Sequence, residues 1–246
     1  MSQKTPLTLI FGALAFGAVL LMALPGSKKD MSGMDMAGMG DQGPSMAAMA
    51  GHMKITSMQA QQPGDEEKVK AVIATAKAIV ERYKDYKTAA ADGYVMANPT
   101  VKQFQYHFMN KANGDAALTG FDPNKPSALL YIGTAHKDFT LEGVMYTADP
   151  QATEDELNKR IPISIARWHE HIDFCAAPAD RTDEYFGKSP KFGMFGSIKT
   201  KEGCDKARGQ FLPTVFTWMI HVFPYEKEYK DIFSMNDDIA HVHVVK

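Results

Sequence analysis

The chain has 246 residues, with 27 basic and 29 acidic side chains and a formal net charge of −2 at pH 7. This balance lacks the basic surplus of nucleic-acid-binding proteins, so no nucleic-acid partner is predicted. The length is enough for one large domain with additional terminal segments. Methionine stands out with 16 residues, and these are concentrated in the N-terminal part of the chain.

The first 26 residues are predicted to direct export. Residues 7–24 contain no charged side chain, and Lys4 precedes them as a positive flank. This stretch is longer than most signal-peptide cores and lies at the lower limit for spanning a bilayer. It ends without a clear A-x-A cleavage site. The segment is therefore either a cleaved signal peptide or a retained anchor in the inner membrane, and the rest of the protein is predicted to be periplasmic or otherwise extracytoplasmic.

Residues 27–64 form a Met-rich segment of low complexity. Its candidate ligands are Met31, Met34, Met36, Met39, Met46, Met49, His52, Met53 and Met58. The remaining residues cannot bury a core, so the segment is predicted to be a disordered tail. Thioethers suit Cu(I), and the spacing M-x-x-M-x-M-x-x-M lets several sulfurs reach one ion. The composition resembles the methionine-rich segments of periplasmic copper-handling proteins and predicts Cu(I) capture. The alternative is a flexible linker with chance methionine enrichment.

The domain is predicted to span residues 65–246 and to begin with one long amphipathic helix. Asp65 is a suitable N-cap, and apolar residues recur at helical spacing from Val69 to Ala90. Gly93 then supplies the glycine expected just past a helix end.

Alternating or β-branched apolar segments predict a sheet in the rest of the domain. The predicted strands cover residues 103–109, 128–132, 141–146, 163–174 and 215–223. Polar residues 133–140 join the second and third strands as a hairpin, and residues 176–209 are predicted to be mostly loop. A capping box at Thr153 predicts a short helix that ends before Pro162. The fold class is therefore α+β, with the long N-terminal helix packed on an antiparallel sheet.

Two histidines share one face of the predicted strand 163–174. Side chains alternate with period two, so His169 and His171 point the same way, Cys175 continues that face, and Trp168 points toward the core. A helix through these residues would separate the two imidazoles. Such histidines are also common as hydrogen-bonded structural residues, and that alternative stays open.

Two further strands present a histidine opposite their apolar face. His107 lies opposite Phe104, Tyr106 and Phe108. In the last strand Met219 and His221 lie opposite an apolar face of Phe216, Trp218, Ile220 and Val222. Neutral imidazoles on a rigid scaffold are what Cu(II) or Zn(II) requires. The pattern predicts one metal site made by His107, His169, His171 and His221, with copper as the cofactor and zinc as the alternative.

Several other residues are weaker candidates. Met219 and Cys175 are possible additional ligands of the histidine site. His241 and His243 form a possible second site, but the favoured interpretation of that pair is a solvated chain end. Cys175 and Cys204 are the only cysteines, and an even number in an exported chain predicts a disulfide between them.

Seven segments of the domain read together resemble a widespread group of exported bacterial proteins. They are residues 91–94 (ADGY), 106–110 (YHFMN), 126–131, 141–144 (LEGV), 156–162 (ELNKRIP), 166–171 (ARWHEH) and 218–224 (WMIHVFP). The resemblance covers residues 68–233, including the four histidines and both cysteines. It implies a bacterial, exported protein, and it implies no activity and no site.

Three functions remain open on this basis. The first is an exported copper-handling protein with a His-rich site in the domain and a Cu(I)-capturing tail. The second is a mononuclear copper or zinc enzyme of unknown substrate, in which Glu170 or Asp173 is a candidate base. The third is a metal-free exported binding or structural domain. No catalytic residue and no protein partner is assigned.

Overall fold

An antiparallel β-sheet is the frame of the domain in the computed structural model, which describes residues 50–97, 99, 105–134, 137–185 and 189–235. Within these residues the sheet has eight strands: β1 (Met53–Ile55), β2 (Val95–Met96), β3 (Gln105–Met109), β4 (Ala128–Thr134), β5 (Lys137–Ala148), β6 (His169–Ala176), β7 (Gln210–Thr214) and β8 (Trp218–Val222). Their order is β1-β6-β8-β5-β4-β3-β2, and β7 pairs with β6 outside this row. The predicted antiparallel sheet with helices is therefore confirmed.

Six α-helices accompany the sheet in the part of the chain that the structure describes. They are α1 (Asp65–Arg82), α2 (Tyr86–Ala91), α3 (Lys111–Ala117), α4 (Glu154–Arg160), α5 (Lys201–Lys206) and α6 (Tyr229–Ile232). Short 3₁₀ segments cover Ala50–His52 and Ala179–Tyr185. Helix α4 has the predicted capping box, in which Thr153 and Glu156 each bond the other's backbone, and it ends at the C-cap Ile161 before Pro162.

The two faces of the sheet carry different residues. Helix α1 packs its buried side chains on one face, which we call the helix face. The core there includes Tyr106, Phe108, Trp168, Trp218 and Ile220, as the alternation in β3, β6 and β8 predicts. The opposite face, which we call the histidine face, carries a smaller buried cluster of Ala128, Leu130, Met145, Met219 and Phe223.

The predicted single helix over residues 65–90 is instead two helices. Asp85 interrupts it, because its side chain accepts a hydrogen bond from the backbone N–H of Lys87 and so starts α2 as an N-cap. Gly64 is the N-cap of α1, and Asp65 is its first residue, where its carboxylate accepts a hydrogen bond from the hydroxyl of Ser164. Gly93 follows α2 with a positive φ of 88°, as expected for a helix-ending glycine.

Strand boundaries also differ from those predicted. Residues 163–166 form a turn in which Ala166 bonds back to the Pro162 carbonyl, so β6 begins only at His169. Phe216 precedes β8 and is 51% exposed, so it does not belong to the apolar face assigned to it. Strand β7, which contains Pro213 and lies between the predicted loop and the predicted last strand, is an addition to the predicted strands.

The domain begins before residue 65. Residues 53–55, which the composition assigns to a disordered tail, form β1 and pair with residues 169–171 of β6. Phe104, His136, His241, His243, the apolar stretch 7–24 and the methionines of the Met-rich segment up to Met49 lie outside the described residues. Among the described residues, no helix is both long and apolar enough to cross a bilayer.

The predicted disulfide between Cys175 and Cys204 is present and ties the end of β6 to α5. Both cysteines are fully buried with Phe192 in a separate small cluster. Gly209 lies against the bridge, where a β-carbon would come within 2.5 Å of the Cys175 sulfur. A disulfide of this kind is stable in an oxidising compartment and therefore agrees with a location outside the cytoplasm.

Replacing both cysteines by alanine is expected to lower the free energy of unfolding by about 3–4 kcal/mol, because the bridge closes a loop across 29 positions and so restricts the unfolded chain. Urea denaturation of the wild-type and Cys175→Ala/Cys204→Ala proteins measures the difference. A loss below about 1 kcal/mol would show that the bridge does not restrict the unfolded chain in this way.

Candidate metal centre

Four histidines from three strands lie side by side on the histidine face. The ring centroids of His169 and His171 in β6 are 5.4 Å apart, and that of His169 is 5.2 Å from that of His221 in β8. The ring of His221 lies in turn 5.9 Å from that of His107 in β3. The structure thus brings together all four imidazoles named from the sequence in one histidine row, in the order His171, His169, His221, His107.

The row requires the sheet to curl. Strands β5 and β4 lie between β8 and β3, and neighbouring strands are about 4.8 Å apart, so a flat sheet would separate β8 from β3 by about 14 Å. The 5.9 Å separation of the His107 and His221 rings therefore means that the histidine face is concave.

Two local features of β5 explain the curl. Leu130 pairs with Gly143 and Tyr131 with Leu141, so β5 carries an extra residue there, and such bulges bend a strand and increase its twist. Gly143 itself faces β8 at very short range. A β-carbon at this position would lie 2.7 Å from the Val222 carbonyl oxygen and 2.8 Å from the Phe223 ring. Only glycine permits this approach of β5 to β8.

His169 occupies an environment that is unusual for a polar side chain. It is fully buried, and neither ring nitrogen has a hydrogen-bond partner among the described residues. Burial, followed by the proximity of His221, His171 and His107, holds the pKa of His169 well below its usual 6.5. The imidazole is therefore neutral at physiological pH, which is the form that binds a metal.

The two ends of the row are nearer to solvent than its middle. In the middle of the row, His169 and His221 are 0% and 1% exposed. At the ends, His171 is 3% exposed and His107 is partly exposed. The ring of Phe216, which is half exposed, lies 5.9 Å from that of His171. A small ion would therefore approach the row past Phe216 or past His107.

The separations of the rings agree with shared metal ligation. With metal–nitrogen bonds of about 2.0–2.1 Å and tetrahedral angles, two imidazoles on one ion place their ring centroids about 5 Å apart. The observed 5.2 and 5.4 Å match this value. As the side chains stand, however, no group of three or more His, Cys, Asp and Glu residues in the described parts of the chain is arranged to hold an ion. The ring of His169 is nearly perpendicular to those of His171 and His221, at 85° and 82°, and rotation about the soft final torsion of histidine would redirect their nitrogens.

The structure separates the remaining candidates. Met219 is the direct cross-strand partner of His169 and lies beside the row. Cys175 is in the disulfide, so the idea of a thiolate ligand at this position is wrong. The assignment of His52 to the Cu(I)-binding tail is also corrected. This residue is buried in the domain, and its two ring nitrogens lie 3.0 and 2.8 Å from the carbonyl oxygens of Asp173 and Gly196.

Sequence reasoning missed two contributors to this face. Met145 in β5 is 4% exposed and pairs directly with His221. Gly143 enables the curl. Both occupy alternate positions of the predicted strand 141–146, so the period-two pattern placed them on one face, but only the pairing of β5 with β8 connects them to a histidine.

Comparisons with known proteins add nothing to this site, because no family model, no curated protein and no solved structure matches the chain. The resemblance to exported bacterial proteins therefore stays a prediction, and the site rests on its own residues.

Replacing Gly143 by alanine is expected to destabilise the domain by about 1–3 kcal/mol, because the new methyl group meets the Val222 backbone and must push β5 and β8 apart. Gly114→Ala is the matched control: it lies within α3 with no atom near the added methyl group, so it should be neutral or stabilising. Thermal and urea unfolding compare the two variants. Equal stability of both would contradict the proposed close approach.

The metal-free protein is expected to lose stability as the pH falls below about 6.5. There the unfolded chain protonates His169 whereas the folded protein does not, so the free energy of unfolding decreases by up to about 1.4 kcal/mol per pH unit until the lowered folded pKa is reached. Urea denaturation between pH 7.5 and 5.5 in the presence of a chelator measures this slope. A His169→Leu variant should show a shallower slope, and the same slope in both proteins would contradict the assignment.

Proposed function

We propose that this protein binds copper outside the cytoplasm through the histidine row. The observation that carries the proposal is His169, whose buried and neutral ring has no hydrogen-bond partner in the described structure and lies beside two other imidazoles at ligand-like separations. Leaving a buried polar group unpaired costs about 1–3 kcal/mol. A bound metal ion would give the ring of His169 a partner.

The same chain shows what a structural histidine looks like. His52 is as deeply buried as His169, but its ring nitrogens face the carbonyl oxygens of Asp173 and Gly196, so either neutral tautomer can donate a hydrogen bond to one of them. If His169 served only to pack the core, a similar arrangement or an apolar residue would be expected in its place. The contrast between the two residues favours ligation over a purely structural role.

Binding is favoured over catalysis by the composition of the site. The row offers several imidazoles as ligands and, among the described residues, no neighbouring carboxylate base, whereas a catalytic site keeps a position open for water or substrate beside such a group. Glu170 is a poor candidate for a catalytic base. Its position alternates with those of His169 and His171, so it points to the other face, where it forms an ion pair with Lys54 at 3.7 Å.

Copper is preferred to zinc because imidazole sites bind Cu(II) more tightly than Zn(II) in the general order of divalent affinities. The Met-rich segment agrees with this choice, since its thioethers suit Cu(I). Cu(I) capture by that segment, and an export or anchoring role of residues 1–26, remain parts of the proposal that rest on composition alone.

The purified full-length protein is expected to retain about one Cu(II) ion per chain, with nitrogen coupling in its electron paramagnetic resonance spectrum. Cu(II) is the appropriate probe because imidazoles bind it and the thioethers of the Met-rich segment do not. His169→Leu and His221→Leu should lower the affinity by roughly tenfold or more. Val69→Ala in α1 is the control, because it should reduce stability by opening a cavity in the core under α1 without touching the row.

Element analysis after gel filtration provides the stoichiometry. Bound copper should also raise the unfolding temperature, since ligand at 100 times its dissociation constant stabilises by about 2.7 kcal/mol. Zinc retained in preference to copper would establish the zinc alternative. A wild-type protein that retains neither metal would leave the metal-free domain as the correct description.

A further inference from the structure

Each buried histidine of the row has a methionine as its direct cross-strand partner. His169 pairs with Met219, His221 pairs with Met145, and His171 pairs with Met53. Residues that face each other across an antiparallel pair lie on the same side of the sheet with β-carbons about 4.5–5.5 Å apart. At this separation, a thioether sulfur and an imidazole nitrogen can reach the same ion.

Methionine is distributed unevenly between the two faces. Met145 and Met219, each 4% exposed, belong to the five-residue buried cluster of the histidine face. The much larger buried cluster under α1 contains no methionine among the described residues and is built from aliphatic and aromatic side chains. Methionine is a good filler of irregular cores, but a need for filler alone would not place both buried methionines opposite histidines, while Met96 and Met109 are only partly buried.

From this pairing we infer that the histidine row is a mixed imidazole and thioether site for Cu(I), with Met145 and Met219 as ligands and Met53 at the partly exposed end. The inference rests on the proposed function, since it specifies the oxidation state and the ligands at the same site. Soft thioethers select Cu(I), and they need no deprotonation to bind it.

Charge favours the same ion. A set of neutral imidazoles and thioethers carries no negative charge to compensate a buried cation. Because the cost of burying an ion increases with the square of its charge, a monovalent ion is much cheaper to place here than a divalent one. Met53 lies opposite His171, whose ring is 5.9 Å from the half-exposed ring of Phe216, so an ion arriving past Phe216 would meet a sulfur and a nitrogen together.

The test uses the full-length protein under anaerobic conditions, with Cu(I) supplied from a competing chelator and Cu(II) measured separately. Met145→Leu/Met219→Leu keeps the apolar volume and removes both sulfurs. This variant should lose roughly tenfold or more in Cu(I) affinity at the domain site and keep its Cu(II) affinity. Met96→Leu is the control, because this methionine packs against the core under α1 and should not affect either ion.

A second measurement avoids variants and separates the domain from the Met-rich segment. In wild-type protein carrying carbon-13 methionine methyl groups, Ag(I), a diamagnetic substitute for Cu(I), is added until the methionines of the Met-rich segment are also saturated, and it should shift the Met145 and Met219 resonances. Unshifted resonances would overturn this inference, and so would unchanged Cu(I) affinity in the leucine variant. If the wild-type protein still bound Cu(II), the proposed function would stand. Loss of both ions from the wild-type protein would instead overturn the proposed function itself.

Discussion

The close approach of β5 and β8 at Gly143 is the constraint on which the histidine row depends. Without it, the strands that carry His107 and His221 would be too far apart for their rings to meet. The bulge next to Gly143 bends the same stretch of β5, so backbone geometry rather than side-chain chemistry sets the shape of the site. A concave face of this kind excludes water from its middle, and this explains why His169 is both fully buried and neutral.

The two faces divide stability and chemistry between them. The face under α1 buries aliphatic and aromatic side chains and supplies most of the apolar stabilisation. The histidine face contains fewer apolar residues and holds an unpaired ring at His169, which reduces stability. Local departures from good packing of this type are expected where a protein binds or reacts, and the disulfide between Cys175 and Cys204 offsets part of the cost.

The sequence was sufficient for features that depend on local periodicity. Alternation assigned His107, His169, His171 and His221 to the face away from the aromatic core, and the capping box at Thr153 marked the start of α4. Pairing between distant strands could not be obtained in this way. The residues of β8 pair with residues of β5 that lie 70 or more positions earlier in the chain, and nothing local reveals that Met145 faces His221.

Misassigned elements have local causes as well. Asp85 interrupts a helical apolar pattern because a capping interaction competes with helix continuation. Strand β1 is only three residues long and lies in a segment whose composition indicates disorder, so its place in the sheet depends on tertiary contacts such as its pairing with β6. Short segments of this type take their structure from tertiary contacts rather than from intrinsic propensity.

The corrected role of His52 connects the disulfide to the metal site. The carbonyl oxygen of Gly196, which lies in the disulfide-bonded part of the chain, is within hydrogen-bond distance of one ring nitrogen of His52, and the carbonyl of Asp173 faces the other. His52 immediately precedes Met53 and therefore fixes the strand that places this methionine opposite His171. Asp173 also follows His171 by two residues, with a positive φ of 55° that directs its carbonyl. A histidine outside the row thus holds in register the methionine and histidine at the His171 end of the row.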